Sequence, residues 1–491
     1  MPEGALRVKL SPQVRKINHP GVDGVPSSRR GPGWLLTAAL IVLSGAVRLW
    51  ASGGDLELDE IWSLDLARQA GSLGGVLTRI HHDNNHHLNT AYLLLIGDHA
   101  PARSYRLLAV IAGAATVAVA SLRPLRIDRS AAAIWMALLA SSFLLVQYGS
   151  EARGYALAAL FAVLDLWLLD LYLVTRRRGW AAAFAASSIL GLLSHLSFVL
   201  VLLPFLTWAS LALLQGGARH RRDPLAMGLL AAPLAALGLL WVTDLRFLVL
   251  GGGPELKLQE VLRELIGATL GLPAGLAELA GPLVVVAAGN EVLRLAQRRR
   301  LEWVFFAGAI LAAALLALAG PAFLAPRYFL VVVPFFLFLL ALALDRLARH
   351  RAWGKAACGA LLLAFAIGNG IRIERLATIG RGHYRDAVEF LLQVSPPGPV
   401  TVGSDHDFRN RMLLAYFAQE VPGGRSIAYL TPDRWTARDP TWIILHDFAS
   451  DPRSPSRLST RNGGSYHLAR QFPYYGLSGF NWYLYRMDTS P

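Results

Sequence analysis

Long apolar runs separated by short polar connections set the plan of this chain. The runs cover residues 34–50, 105–122, 131–148, 155–175, 180–193, 196–214, 225–242, 282–295, 303–320, 328–344 and 353–371. A helix that crosses the hydrocarbon core of a bilayer needs about 20 residues, and shorter runs can borrow flanking positions, so the pattern predicts about eleven membrane spans. In the long polar connection 51–104, the stretches 63–80 and 88–96 read as helices lying at the membrane surface, the first broken at Gly74-Gly75. Past residue 371 the pattern changes. Strand-like runs at 400–402 and 441–445 alternate with helix-like runs at 384–394 and 410–419, which predicts a small soluble α/β domain. The aromatic stretch 472–485 reads as the core of that domain or as a surface resting on the membrane.

Composition sharpens the picture. Of 491 residues, 54% are hydrophobic and only 16% charged, with a mean hydropathy of +0.42. That balance fits a polytopic α-helical membrane protein, with residues 1–32 a disordered cytoplasmic tail, 33–371 the membrane domain and 372–491 the soluble domain. The net charge of +14 does not indicate nucleic acid, because the arginines cluster between apolar runs: Arg123, Arg126 and Arg129; Arg176–Arg178; Arg219, Arg221 and Arg222; Arg298–Arg300; Arg346, Arg349 and Arg351. This is the bias of cytoplasmic loops. With the N-terminus inside, every Arg-rich loop falls inside, and the acid-rich connection 51–104 falls outside together with the 372–491 domain. A multi-pass protein of a bacterial cytoplasmic membrane, with its polar sites facing the periplasm, is expected. A single cysteine, Cys358, excludes a disulfide framework and a thiolate metal site.

The unusual polar groups gather on that outer side. Asp59 and Glu60 lie between Leu58 and Ile61-Trp62, a frame in which an unpaired acid is costly. The same pair also suits the first turn of a helix, which needs no chemistry. His86 and His87 close the run 81–87, Arg106 opens the second span, and Glu151, Arg153 and Tyr155 occupy the turn after the third. His195 follows the fifth span, and Arg327-Tyr328 precedes the tenth. Ionisable groups at a membrane boundary usually face a cavity or a partner. Each also has a plainer reading: Arg153 pairing with Glu151, Arg327 and Tyr328 as interfacial anchors, and His195 as a satisfied core histidine. The His/Asn run follows no regular metal-ligand spacing. No cofactor is implied, and a divalent metal is compatible but not required.

Together these motifs resemble the C-type-fold (GT-C) glycosyltransferases that use lipid-linked sugars. The branch is that of protein O-mannosyltransferases, lipid A aminoarabinose transferases and Rgt-type galacturonosyltransferases. The resemblance rests on Leu58-Asp59-Glu60, on His86-His87-Leu88-Asn89 where that family has His-Pro-Pro-Leu, on Arg106-Leu107-Leu108, on 151–157, on His195 and on 325–330, and it spans roughly residues 34–345. It implies a polyprenyl-phosphate-linked sugar donor in the membrane lipid and a glycolipid, polysaccharide or protein acceptor. Asp59 would be the general base, and Glu60 would orient it or contact the acceptor. Arg153, Arg327, Arg106 and Tyr328 would bind the donor phosphate, and His86, His87, Glu151, Tyr155 and His195 would contact substrate. Displacement would invert the anomeric centre. A transporter or flippase for a lipid-linked or anionic substrate is the alternative, and it would place more ionisable groups at mid-span.

Overall fold

The computed structural model describes residues 33–215, 223–252, 256–320, 324–350, 352–421, 426–435, 439–448 and 454–488. The predicted tail 1–32 lies outside the described residues, as do Arg219, Arg221, Arg222 and Arg351. Among the described residues, eight helices are long and apolar enough to cross a membrane, beginning with Trp34–Ala51 and Ala102–Ala120. Three other apolar runs form helices that fall short of that measure. Arg129–Ser141 and Arg178–Ser194 are brief, and Val333–His350 ends in Asp345, Arg346 and Arg349. Leucines on these helices stay bare where no protein covers them: Leu318, Leu279 and Leu283 are 77%, 73% and 72% exposed. Such apolar surface is stable only against lipid or a partner.

The Arg-rich connections meet at one end of the bundle. Arg349 reaches Asp128 (2.8 Å) and Ser130 (2.9 Å), and Arg300 donates to the Leu125 carbonyl (3.1 Å). Inside the bundle, the run 131–148 is not one helix. It breaks at Ser142 (φ −62°, ψ 121°), and Phe143–Tyr148 resumes as a separate, wholly buried turn. Groups freed by the break find partners elsewhere in the bundle. Arg48 donates to the Leu139 and Ala140 carbonyls (3.1 and 3.3 Å). Asn369 accepts from the Phe143 amide (2.7 Å), and Ser142 Oγ donates to the Thr269 carbonyl (2.9 Å). An interior backbone group has no water to fall back on, so this set of contacts is what permits the break. Thr269 belongs to Leu258–Leu270, an amphipathic helix where the hydropathy pattern suggested only a connection.

Residues of the soluble part form one six-stranded sheet of order β2-β1-β3-β6-β5-β4. The strands are β1 (Val400–Ser404), β2 (Ile427–Tyr429), β3 (Trp442–Asp447), β4 (Arg457–Ser459), β5 (Ser465–Phe472) and β6 (Asn481–Met487). β1 runs parallel to β2 and β3, and the other pairs are antiparallel. Alternation splits the aromatic C-terminal stretch between two faces. Trp482 and Leu484 pack with the helices Tyr384–Val394 and Asp407–Glu420, while Tyr483 and Tyr485 pack with Ile443 and Tyr466. The helix Ala352–Ile379 runs through position 371, so the change in composition there falls inside a helix.

One expectation is corrected. The surface helix at 63–80 is in fact Leu58–Ala70, ended by Gly71 in the left-handed region (φ 64°), followed by Leu73–Thr78. Gly74 and Gly75 sit inside the second helix, because Gly71 and the Ser72 cap already supply the stop and the restart. Its apolar face is not spread on the membrane: Leu58, Ile61, Leu64 and Ala67 join the core of the soluble domain. Replacing Arg48 with Leu strands the Leu139 and Ala140 carbonyls and lowers stability by about 3 kcal/mol. A drop in the thermal midpoint of the detergent-solubilised chain, partly recovered in Arg48→Lys, checks this.

Candidate active site

The site begins with a helix cap. Glu57 accepts from the Asp59 amide (3.0 Å), and Glu60 Oε2 accepts from the Glu57 amide (3.0 Å), a reciprocal box set by the three-residue spacing. Asp59 is thereby held in the first turn, pointing away from the helix axis. The two neighbours thus differ in surroundings: Glu60 is taken up in the cap, and Asp59 is left open to a cavity. Glu60 is fully buried. It takes Arg106 Nε (2.7 Å) and Nη2 (2.5 Å) and the Ala152 amide (2.7 Å). Burial opposes its ionisation, but the Arg106 charge and hydrogen bonds outweigh that and hold its carboxyl below the usual range. Arg106 spends its remaining donors on the carbonyls of Ser52, Gly53, Gly54 and Asp55 (2.7–3.1 Å). Neither residue has a group left for a ligand, so the expectation that Arg106 binds phosphate and that Glu60 meets the acceptor is corrected: they form a buried staple.

Asp59 faces a cavity of about 410 Å³. Its Oδ2 lies 2.7 Å from Arg153 Nη1 and 3.6 Å from Arg327 Nη1. Arg153 comes from the 150–154 turn and is almost fully buried. It also donates to Asn84 Oδ1 (3.0 Å), and its guanidinium lies 4.9 Å from the centre of the Tyr155 ring. Arg327 comes from the short turn Pro326–Phe329 and lies over Tyr328 at 5.6 Å. Burial works against both guanidinium charges, yet Asp59 and the facing tyrosines keep both firmly protonated. Glu57, next to Asp59, is buried and its carboxyl is pushed up, first by burial and then by the Asp59 charge.

The histidines divide. His86, His195 and Tyr155 stack together, with ring centres 4.4–5.2 Å apart. His86 Nδ1 accepts from the Gly154 amide (3.1 Å), so the proton sits on Nε2, which has no partner and is buried. Gly154 is required here, since a Cβ would lie 1.9 Å from the Ser194 carbonyl. Burial is the main reason both imidazoles resist protonation, and Arg153 and Arg327 add to it; His195 is lowered from 6.5 to about 3. His87 instead binds Asp244 (2.9 Å), which also takes His81 (2.8 Å). Among the described residues no three His, Cys, Asp or Glu side chains are disposed to hold a metal ion.

Of the expected site residues, Asp59, Arg153, Arg327, Tyr328, Tyr155, His86, His87 and His195 line the cavity. Glu151 does not: it is buried against Arg381 (3.2 Å) and Gln147 (3.3 Å). Sequence reasoning missed Asp244, Glu57 and Arg381. Asp244 is the acid that ends the 225–242 run, a boundary position like those already singled out. Arg381 lies beyond the compositional change, where nothing marks it. Fully buried, it donates to Glu151, to Ser150 Oγ (2.8 Å) and to the carbonyls of Ala51 (3.0 Å) and Gln147 (3.1 Å). The lining also carries a set of leucines: Leu192, Leu196, Leu200, Leu240 and Leu316.

The imidazoles make a pH prediction. The unfolded chain protonates His195 below about pH 6.5, whereas the folded chain does so only near 3. Stability therefore falls as pH drops through that window, at up to about 1.4 kcal/mol per pH unit for that residue. Thermal midpoints between pH 7 and 5 are expected to decline for the natural chain and to decline less for His195→Gln.

No protein-family model and no curated protein matches the chain. Solved structures do. The crystal structure of ArnT from Cupriavidus metallidurans bound to undecaprenyl phosphate superposes with a TM-score of 0.52 and 16% identity, covering 84% of this chain and 93% of that one. The apo state of the same protein gives 0.53 and 15% over the same shares. The arabinosyltransferase EmbB from Mycobacterium smegmatis gives 0.44 and 16%, over 66% of this chain and 32% of that one. At these identities the likeness to ArnT speaks to architecture, and on that ground the chain has the C-type glycosyltransferase fold: a bundle of membrane helices with a strand-containing C-terminal domain.

Proposed function

We propose that this protein is a glycosyltransferase that moves a sugar from a polyprenyl-phosphate donor to an envelope acceptor, with inversion, at the outer face of a bacterial cytoplasmic membrane. The observation that carries this reading is one carboxylate, Asp59, held between the buried guanidinium of Arg153 (2.7 Å) and the half-buried one of Arg327 (3.6 Å), in a cavity lined also by leucines. Two guanidiniums against one carboxylate leave a local excess of positive charge suited to a phosphate, while the other acids of the lining, Asp83 and Asp244, are turned to His82 and to His81 and His87. ArnT, whose fold this chain shares, was solved with undecaprenyl phosphate bound.

In the proposed course, the donor phosphate settles between Arg153 and Arg327 and loosens their hold on Asp59. The prenyl chain lies along the leucines. The His86 Nε2–H, left without a partner, supplies an uncharged donor to the same group. Asp59 then takes the proton from the acceptor hydroxyl as that oxygen attacks C1 of the sugar from the face opposite the phosphate. The C1–O bond to phosphate breaks, and its electron pair leaves with polyprenyl phosphate, stabilised by the two arginines. Tyr155 and Tyr328 support those arginines. Glu57, whose carboxyl is pushed up by burial and then by the Asp59 charge, lies buried behind Asp59 and leaves that residue to face the substrates.

A carrier or flippase has no use for a base in this position. Asp59→Asn is therefore expected to cut turnover by about 10²–10⁴-fold while polyprenyl phosphate still binds. Arg153→Ala and Arg327→Ala each weaken that binding by about tenfold or more. Mass spectrometry of envelope glycolipids and glycoproteins from cells carrying each variant reads the turnover. An unchanged product pattern in Asp59→Asn would sink the transferase reading.

A further inference from the structure

The soluble domain brings a second polar cluster to the mouth of the cavity. β1 is flanked by β2, reached through the helix Asp407–Glu420, and by β3 on its other side. The carboxyl ends of β1 and β3 are thus a switch point of the sheet, the place where open α/β sheets form a crevice. The residues there are Asp405 and His406 after β1, Arg409 in the first turn of the helix, and His446 near the end of β3. Arg409 Nη1 donates to His446 Nε2 (2.8 Å), and since a guanidinium only donates, His446 donates from Nδ1 to Asp405 Oδ1 (2.9 Å). Asp405 is fixed in turn by the Asn410 amide group (3.1 Å). This relay orients Arg409, and the Asp405 charge acts on it through space with His446 between them. Among the described residues Arg409 makes no ion pair, and its guanidinium rests 5.0 Å from the centre of the Phe448 ring.

The cluster adjoins the catalytic cavity. Phe408, next to Arg409, meets the cavity-lining Trp62 edge-on at 4.8 Å. The Asp59 charge also acts on Arg409 through space. Asp59 spends Oδ2 on its two arginines, while Oδ1 has no partner among the described residues, so an acceptor can reach it without crossing the arginine pair. Aromatic rings beside a fixed, unpaired cation suit a sugar ring that carries a negative group.

We propose that this edge of the soluble domain is the acceptor subsite, and that Arg409 holds the phosphate or carboxylate of an anionic saccharide whose hydroxyl is presented to Asp59. This rests on the transferase reading and narrows its acceptor. The full chain in lipid nanodiscs, titrated with glucose 6-phosphate, glucuronate and glucose and followed by saturation-transfer NMR, tests it. An anionic sugar is expected to bind at least about tenfold better than glucose, and Arg409→Ala to erase that preference while Arg409→Lys keeps part of it. Preference for one anionic probe over the other tells phosphate from carboxylate. A natural chain with no preference over glucose, or a preference that survives in a folded Arg409→Ala chain, overturns the proposal, as does a product found only on protein. Failure of the transferase reading would appear elsewhere, as unchanged products in Asp59→Asn, whatever the probes do at Arg409.

Discussion

The interaction on which the rest of the structure depends is the buried contact between Glu60 and Arg106. One carboxylate closes the N-terminus of a helix, pairs with a guanidinium from the second apolar helix and accepts the amide of Ala152 in a turn some ninety residues away. A buried pair is stable only when nearly every donor and acceptor is used. Here Arg106 meets that condition with four backbone carbonyls besides the acid. Because Ala152 is neighbour to Arg153, the contact that fixes Asp59 on its helix also fixes the arginine that faces it. The distance between the two groups is set by a staple that touches no cavity.

Around that frame the electrostatics are arranged by difference rather than by number. Three acids lie within four positions, and each has its own environment. Glu60 is saturated by a cation, and Glu57 is desolvated and pushed toward its protonated form. Asp59 alone opens to the cavity with two guanidiniums before it. The histidines beside the arginines are kept from protonation by burial and by those same charges. The positive charge that faces Asp59 in the cavity is therefore that of Arg153 and Arg327, within a lining that also carries several leucines.

The soluble domain belongs to this arrangement. Its core continues into the helix that carries Asp59. Arg381 ties its first residues to the turn that carries Arg153, and the loop before β6 packs its Leu477 amide on Gln147 (3.0 Å). Such couplings leave little freedom for the domain to move apart from the site, and they place its switch-point residues where a second substrate of the proposed reaction would arrive.

Much was legible in the sequence, because the bilayer and the pleat impose periods that need no partner. Runs of apolar residues became helices, the stretches 400–402 and 442–445 fell in β1 and β3, and eight of the polar residues singled out near the ends of apolar runs line one cavity. Tertiary structure alone decided which member of each polar pair faces that cavity. Asp59 and Glu60 are chemically alike as neighbours in a string, Glu151 and Arg153 are an acid and a base that could simply pair, and only the position of Arg106 and Arg381 in space engages Glu60 and Glu151 and leaves Asp59 and Arg153 to the cavity. The short strands β2 and β4, the break at Ser142 and the role of Arg48 were hidden for the same reason. Each is stabilised by groups distant in the chain, and distance along a sequence carries no record of proximity in a fold.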